Sequence, residues 1–549
     1  MDALRFIGEA FAIAFTPTGI LALVLSVFTG LIFGMLPGLT STMAVALLTG
    51  LTYNFSGPLA ILSLLAIYIG AISGGNQSAI LLNIPGTPAS AATAMEGYPL
   101  ALKGKAGLTI FVATGASFFG TMISIICVAL FTPLLTKFAL KFMSHEMFLL
   151  ALFGIVICGN LTSNGDPLKG WISGFIGLLM SQVGMDTIYS YRRFTYGSIN
   201  LAGGISLLPV MIGLFGFPEV VKAFSGAKAT AMQQNNKYSI IEGLKILKRN
   251  WFNILRSGIM GMLMGAIPGV GEDTGGWLSY WSEKKVSKTP ELWTHGCIDG
   301  VISAETGNNA AIGGAIIPVL SLAIPGSTSA AVLLAAFWMH GYRPGPLLMQ
   351  DTPQFLYYVI VFMVLASCMM WILGMVIAKF SVKVLSVDIK ILMPIVFICC
   401  TIGAFVVSNR IFDIKLMFVF GILGIIMSFL KMPGAPFLLG IILGNMADEN
   451  LRRALLLTDA DISIFFTRPI SIFFIILITY LIFTQTPVYA RLQSKRDVRR
   501  EAARLAKAEA KKAEEKAEKA ETKAEEAEKK AELAEKEAEF AAKEAKRRD

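Results

Sequence analysis

Two long apolar stretches of this chain are interrupted in the same way, and those interruptions limit the folds open to it. The first reads Gly74-Gly75-Asn76-Gln77-Ser78-Ala79-Ile80-Leu81-Leu82-Asn83-Ile84-Pro85-Gly86-Thr87-Pro88. Its flanks are apolar enough for a bilayer, yet its centre carries residues that break a helix or bare its backbone. Pro85 removes a backbone donor, and Gly86 lets the chain turn without a Cβ clash. Broken backbone at membrane depth survives only where protein buries it or a polar cavity wets it. Paired breaks of this kind point to a binding site between helices.

The second stretch is a copy of the first. Gly307-Asn308-Asn309-Ala310-Ala311-Ile312 follows Gly75-Asn76-Gln77-Ser78-Ala79-Ile80, and Ile324-Pro325-Gly326-Ser327-Thr328 echoes Ile84-Pro85-Gly86-Thr87-Pro88. Each copy is preceded by a matching break, Leu36-Pro37-Gly38-Leu39 and Ile267-Pro268-Gly269-Val270. The second copy is longer by roughly two helical turns between its Asn and its Pro-Gly. Three landmarks in one order indicate an internal duplication.

Charge separates the tail from the rest. About two-fifths of the Lys, Arg, Asp and Glu lie after Val488, and without them the chain reads as a polytopic membrane protein. The tail nearly neutralises itself, so the basic balance is no nucleic-acid signal. Loop lysines report orientation instead. The expected organisation is a first transmembrane repeat over 1–221, a basic connecting loop over 222–250, a second repeat over 251–487 and a charged Ala/Lys/Glu-rich helix outside the membrane over 488–549. Roughly a dozen crossings are expected, some of them broken. The fold class is all-α, with two inverted repeats, each holding a broken-helix hairpin around a Pro-Gly motif. The tail helix has strong formers and i, i+4 charge pairs. Its Leu505, Leu533 and Phe540 are too sparse for a coiled coil.

Enzyme chemistry finds no support. The histidines His145, His295 and His340 have no partner at helical spacing, the cysteines form no CxxC, and no nucleophile sits beside a base. No cofactor is expected. The N-terminus lacks a cleavable signal pattern.

At the level of motifs the chain resembles the large membrane subunit of tripartite tricarboxylate transporters. The resemblance rests on Gly34-x-Leu36-Pro37-Gly38-Leu39, the Gly74–Pro88 stretch, Glu96-Gly97-Tyr98-Pro99, Pro268-Gly269-x-Gly271, Glu305-x-x-Asn308-Asn309-Ala310, Ile324-Pro325-Gly326 and His340-Gly341-x-x-Pro344-Gly345-Pro346. Glu449-x-Leu451-Arg452-Arg453-Ala454 and Arg468-Pro469-Ile470-Ser471 also look familial. It covers about Gly19 to Phe483. It implies ion-gradient-driven uptake of di- or tricarboxylates such as citrate, with a periplasmic solute-binding protein and a small transmembrane subunit as partners. It also implies a multi-pass place in the lipid of a bacterial inner membrane, with the C-terminus cytoplasmic. The chain departs from the family pattern at Asn76-Gln77, at Glu272-Asp273, where a small residue is usual, and at Ala304-Glu305-Thr306.

Chemistry suggests which residues serve. Few basic residues lie inside the spans, and a helix start offers free N–H groups and about half a positive charge to a carboxylate. The candidate substrate residues are therefore Asn83, Pro85, Gly86 and Thr87 in the first half, and Asn308, Asn309, Pro325, Gly326, Ser327 and Thr328 in the second. Thr87 and Ser327-Thr328 are expected to cap two helix starts that face one another and hold two carboxylates of one substrate. A coupling Na+ prefers oxygen, and Gly38, Thr40, Ser78, Gly269, Thr274 and Glu305 are its candidate residues, with H+ on Glu305 the alternative ion. Gly and Ser can equally serve close helix packing. Glu272 and Asp273 are further acids near a break, and His340 and Arg343 border the second break. A cation antiporter or a channel with a duplicated broken-helix core is the competing reading.

Overall fold

The computed structural model describes residues 2–162, 166–218, 220–221, 239–287, 289–381, 385, 389–406, 409–485 and 489, with scattered positions between 527 and 538. Most of the expected basic loop and nearly all of the charged tail lie outside the described residues. Met1–Ile478 pack as one unit and Thr479–Asp549 form a second. Among its described residues the first unit is helical, with one two-residue antiparallel ladder, Gly184–Met185 on Arg192–Arg193.

Its main helices are α1 (Asp2–Ala14), α2 (Pro17–Met35), α3 (Ser41–Leu51), α4 (Gly57–Leu82), α5 (Ala91–Leu102), α6 (Ala106–Ala139), α7 (Ser144–Thr162) and α8 (Pro167–Ser181). After the connecting region come α9 (Ile240–Arg249), α10 (Trp251–Gly265), α11 (Gly271–Val286), α12 (Ile298–Leu322) and α13 (Thr328–Met339). The chain continues through α14 (Gln354–Ala378), α15 (Ile389–Val406), α16 (Ile411–Phe429), α17 (Gly434–Leu457) and α18 (Pro469–Phe483).

Among the described residues five helices are long and apolar enough to cross a bilayer: α2, α4, α6, α14 and α16. Not every expected crossing is a full span. α3 and α13 are apolar but short, and a helix of their length covers about half of a bilayer core. Both begin directly after a Pro-Gly break. The chain is a multi-pass membrane protein in which two half-length helices, α3 and α13, accompany the long helices of the core.

The breaks fall just ahead of the Pro-Gly pairs. α4 runs unbroken through Gly74 and Gly75 and ends at Asn83 (φ 57°). α12 likewise ends in a left-handed residue, Ala323 (φ 58°). The two copies therefore share a backbone conformation at matched positions although Asn and Ala differ there. The earlier breaks also match, with Gly38 at φ 91° and Gly269 at φ 78°. This region favours glycine because it has no Cβ.

The glycines upstream of each break serve packing. A methyl on Gly34 would lie 2.0 Å from the Ala71 carbonyl oxygen, so α2 and α4 touch backbone to backbone. The second half repeats this contact, with Gly261 against the Gly307 carbonyl and Gly265 against that of Ala311. Small residues permit such approach in lipid. α10 and α11 form a hairpin around Gly269, held by Ser279 Oγ donating to the Ser257 carbonyl (3.1 Å) and by an Arg256–Glu283 ion pair.

A separate group, α7, α8 and α17, packs through Gly174, Gly177 and Gly440. The short ladder after α8 is anchored on Asp186, which is 1% exposed. Asp186 accepts from Ile188 N (2.7 Å), Tyr189 N (2.8 Å) and Arg452 Nη1 (2.7 Å), and pairs with Arg193. The Arg452 guanidinium is the largest influence holding its carboxyl below the usual carboxylate range; backbone N–H bonds and Arg193 add to it.

Candidate functional site

The helix starts after the breaks are built differently in the two halves. Ser327 caps α13 as expected, its Oγ accepting from Ala330 N at 3.1 Å. Thr40 caps α3 in the same manner, accepting from Met43 N at 3.2 Å. Thr87 stands before a 3-10 turn, Pro88–Ser90, that leads into α5, and makes no capping bond. Its hydroxyl is buried with no hydrogen-bond partner. Capping by Thr87 is thus not realised. Pro88 fixes the first turn and offers no N–H, and Ser90 N bonds the Thr87 carbonyl rather than its side chain.

The partner of the α13 start is also other than expected. Thr328 Oγ1 lies 2.8 Å from Thr42 Oγ1, and Ser329 Oγ lies 2.8 Å from Ser41 Oγ. The helix start facing Ser327-Thr328 is that of α3, not the Thr87 turn. The Thr87 turn approaches α11 and α12 instead. Asn308 Nδ2 donates to the Ala89 carbonyl at 3.2 Å, and a methyl on Gly276 would lie 3.0 Å from the same oxygen.

Glu305 and Glu272 are buried carboxylates among these helices. Glu305, fully enclosed, accepts from Ser117 Oγ (2.8 Å), Thr93 Oγ1, Asn308 Nδ2 (3.4 Å) and Asn76 Nδ2 (3.5 Å). Asn309 donates to Asn308 Oδ1 at 2.7 Å and accepts from Ser73 Oγ at 2.7 Å. Four elements, α4, α5, α6 and α12, thus meet in one polar cluster. The second acid, Glu272, is 4% exposed at the start of α11 and accepts from Tyr68 of α4 and from Ser327 Oγ (2.9 Å). Among the described residues, neither carboxylate has a Lys or Arg partner.

The other expected residues scatter around these clusters. Asn83 is exposed, and Pro85, Gly38, Thr40, Gly269 and Thr274 are partly exposed. Gly86 and Gly326 are buried. A methyl on either would reach within 2 Å of a carbonyl oxygen, that of Gly34 (1.9 Å) or Gly265 (2.0 Å). Their role in the fold is close approach. Pro325 is buried, and Ser78 donates to the Gly75 carbonyl (3.2 Å). Glu305 bonds none of the other five cation candidates. Asp273 and Arg343 are exposed, and His340 ends α13 partly buried. A cavity of about 440 Å³ lies between Ser181, Gly204, Trp338 and Asn445, and no expected site residue lines it.

Residues 20–439 match the family described as the tripartite tricarboxylate transporter TctA family. The chain belongs to that family. It is also similar to two proteins of Agrobacterium vitis. One is named an uncharacterized 52.8 kDa protein in the TAR-I ttuC' 3' region, 33% identical over 86% of this chain and 94% of that protein. The other is named an uncharacterized protein in the TAR-II ttuC' 3' region, 35% identical over 38% of this chain and 87% of that protein. No solved structure matches the chain.

A TctA-family chain is a transporter subunit rather than an enzyme, and the tripartite family implies two further components. In such a subunit the two acids matter because charge is costly in low dielectric and here has only neutral donors. Neutral donors spread a carboxylate's charge without cancelling it. Ser73, Asn76, Thr93, Ser117 and Tyr68 were not singled out as site residues. Asn76 was within reach as the counterpart of Asn308. Thr93 and Ser117 lie on α5 and α6, Tyr68 lies about two turns before Asn76 on α4, and no motif marks them.

Proposed function

We propose that this chain is the large membrane subunit of a tripartite, solute-binding-protein-dependent carrier that takes up small di- or tricarboxylates, citrate-like in chemistry, by symport with Na+ or H+. Its partners are a periplasmic solute-binding protein and a small transmembrane subunit, and its place is the bacterial inner membrane, with the C-terminus cytoplasmic. The observation that carries the reading is Glu305: a fully buried carboxylate, held by four neutral side chains where α4, α5, α6 and α12 meet. Such a charge calls for a cation or a proton. The acceptor oxygen of Asn76 is buried there without a partner, as a coupling ion would require.

The carboxylate is read at the Pro-Gly loops, Asn83–Thr87 and Pro325–Thr328, with Asn308 and Asn309 linking the loops to the ion cluster. Matched left-handed ends at Asn83 and Ala323 support a repeat relationship. Inverted repeats would let one bundle slide past another in alternating access.

The test is uptake of labelled citrate and related acids into cells expressing the chain with its two partner subunits, with and without a Na+ gradient. Uptake that needs the partners, follows the gradient and falls in Asn308→Ala is the expected result. No uptake of any carboxylate overturns the substrate class. Two buried acids also suit a cation antiporter, which would move cations with no organic anion present.

A further inference from the structure

The two Pro-Gly loops are not equivalent, and the difference is one charge. α3 and α13 begin against each other at Thr42 and Thr328. Each helix start carries a partial positive charge and unsatisfied N–H groups. Glu272 stands at this junction. Its Oε1 accepts from Ser327, the residue that caps α13, and from Tyr68, and the Cβ of Ser327 lies 2.8 Å from where a methyl on Gly271 would sit. With no basic partner among the described residues, the helix starts are the positive field around this carboxylate.

The first half has no such acid. Glu272 lies four positions after Pro268, and the residue four positions after Pro37 is Ser41. Thr87 is the counterpart of Ser327, two positions after its proline. Where Ser327 is bonded to Glu272 and to Ala330 N, the Thr87 hydroxyl is 1% exposed and has no partner. It stands ahead of the Pro88–Ser90 turn and the twelve-residue α5.

We infer that Glu272 fills, from within the chain, the anion position at the start of α13, so that a substrate carboxylate is held at the Thr87 loop alone. This rests on the carboxylate reading above and refines it. The internal carboxylate makes Glu272 a specificity-determining residue. It excludes a second substrate carboxylate from the Ser327 loop by like-charge repulsion. Further carboxylates of a substrate must then lie away from the Ser327 loop.

The experiment measures binding of butanoate, succinate and tricarballylate, with one, two and three carboxylates, to the purified full chain by calorimetry. Wild type is compared with Glu272→Gln, Glu272→Ser and Thr87→Val. Glu272→Gln keeps the shape and an acceptor for Ser327 while removing the charge, and Glu272→Ser reproduces the first-half residue. Both are expected to tighten succinate and tricarballylate about tenfold relative to butanoate, the scale of a carboxylate placed at a partly buried helix start. Thr87→Val is expected to weaken all three by similar factors. Unchanged ratios in both Glu272 variants overturn the inference and leave the carboxylate reading standing. Loss of all binding in the Glu272 variants, with wild type binding, also overturns it and makes Glu272 a ligand of the coupling cation. Absence of binding in wild type and variants alike overturns the carboxylate reading and this inference with it.

Discussion

Asn76 of the first copy of the duplicated motif and Glu305, two residues ahead of the second copy, meet inside the helix bundle, with Nδ2 of Asn76 3.5 Å from Oε2 of Glu305. The amide nitrogen of Asn76 faces the carboxylate while its oxygen is buried without a partner. An unpaired buried acceptor is costly. Its place beside an acid with only neutral donors is the arrangement on which the proposed coupling-ion site rests.

Glu305→Gln is therefore expected to remove the dependence of uptake on the ion gradient and to cut the uptake rate at least about tenfold, on the scale of losing a buried charge interaction. Asn76→Ala should instead raise the Na+ concentration needed for half-maximal uptake by about tenfold, with thermal stability changed by only about 1 kcal/mol. Transport assays in proteoliposomes with imposed gradients read both. Full gradient dependence in Glu305→Gln would remove this cluster from ion coupling.

Gly86 and Gly326 make a stability prediction. A methyl at Gly86 would lie 1.9 Å from the Gly34 carbonyl oxygen, and one at Gly326 2.0 Å from that of Gly265. Backbone cannot yield as a side chain can, so Gly86→Ala and Gly326→Ala should each cost about 2 kcal/mol or more. Thermal unfolding in detergent measures this, and a change within error would show that the loops can move away from α2 and α10.

Glu96 anchors the turn ahead of α12. Its oxygens accept from Tyr280 OH (2.7 Å), Thr294 N (2.7 Å), Gly296 N (3.0 Å) and Cys297 N (2.8 Å). Glu96→Ala would strand three backbone donors and is expected to cost about 3 kcal/mol or more. Tyr280→Phe should cost about 1 kcal/mol, since it removes a single bond. Faster hydrogen exchange over Trp293–Gly300 is the readout.

Asp186 gives a pH dependence. Its carboxyl titrates lower in the folded chain than in the unfolded one, chiefly because Arg452 bonds it. The folded state then binds fewer protons than the unfolded state as pH falls. The contribution is complete above the unfolded value of about 4 and is lost progressively below it, through the folded value. Exchange protection of Val183–Tyr196 should hold at neutral pH and fall at about pH 3. Asp186→Asn should show the low-pH exchange pattern already at pH 7, with little further change on acidification.

What the sequence determined follows from local physics. A proline removes a donor wherever it stands, and a Pro-Gly pair in an apolar run strongly disfavours helix continuation. The matched breaks at Pro37 and Pro268 and at Pro85 and Pro325, and the capping by Ser327, were legible for that reason. Gly74 and Gly75 lie inside α4, which meets the Leu31 carbonyl there and stays helical, because glycine permits close approach in a membrane bundle. Only the tertiary structure decided the partners. Whether Ser327-Thr328 faced Thr87 or Thr42, and whether Glu305 joined Thr274 or Thr93 and Ser117, depends on how helices far apart in the chain are packed. Hydrogen bonds of about 3 Å select among hydroxyls that look alike in sequence. The charge of Glu272 was visible from the start. Its place at the start of α13, beside Tyr68, came only from the fold, because nothing local ties position 272 to positions 68 and 327.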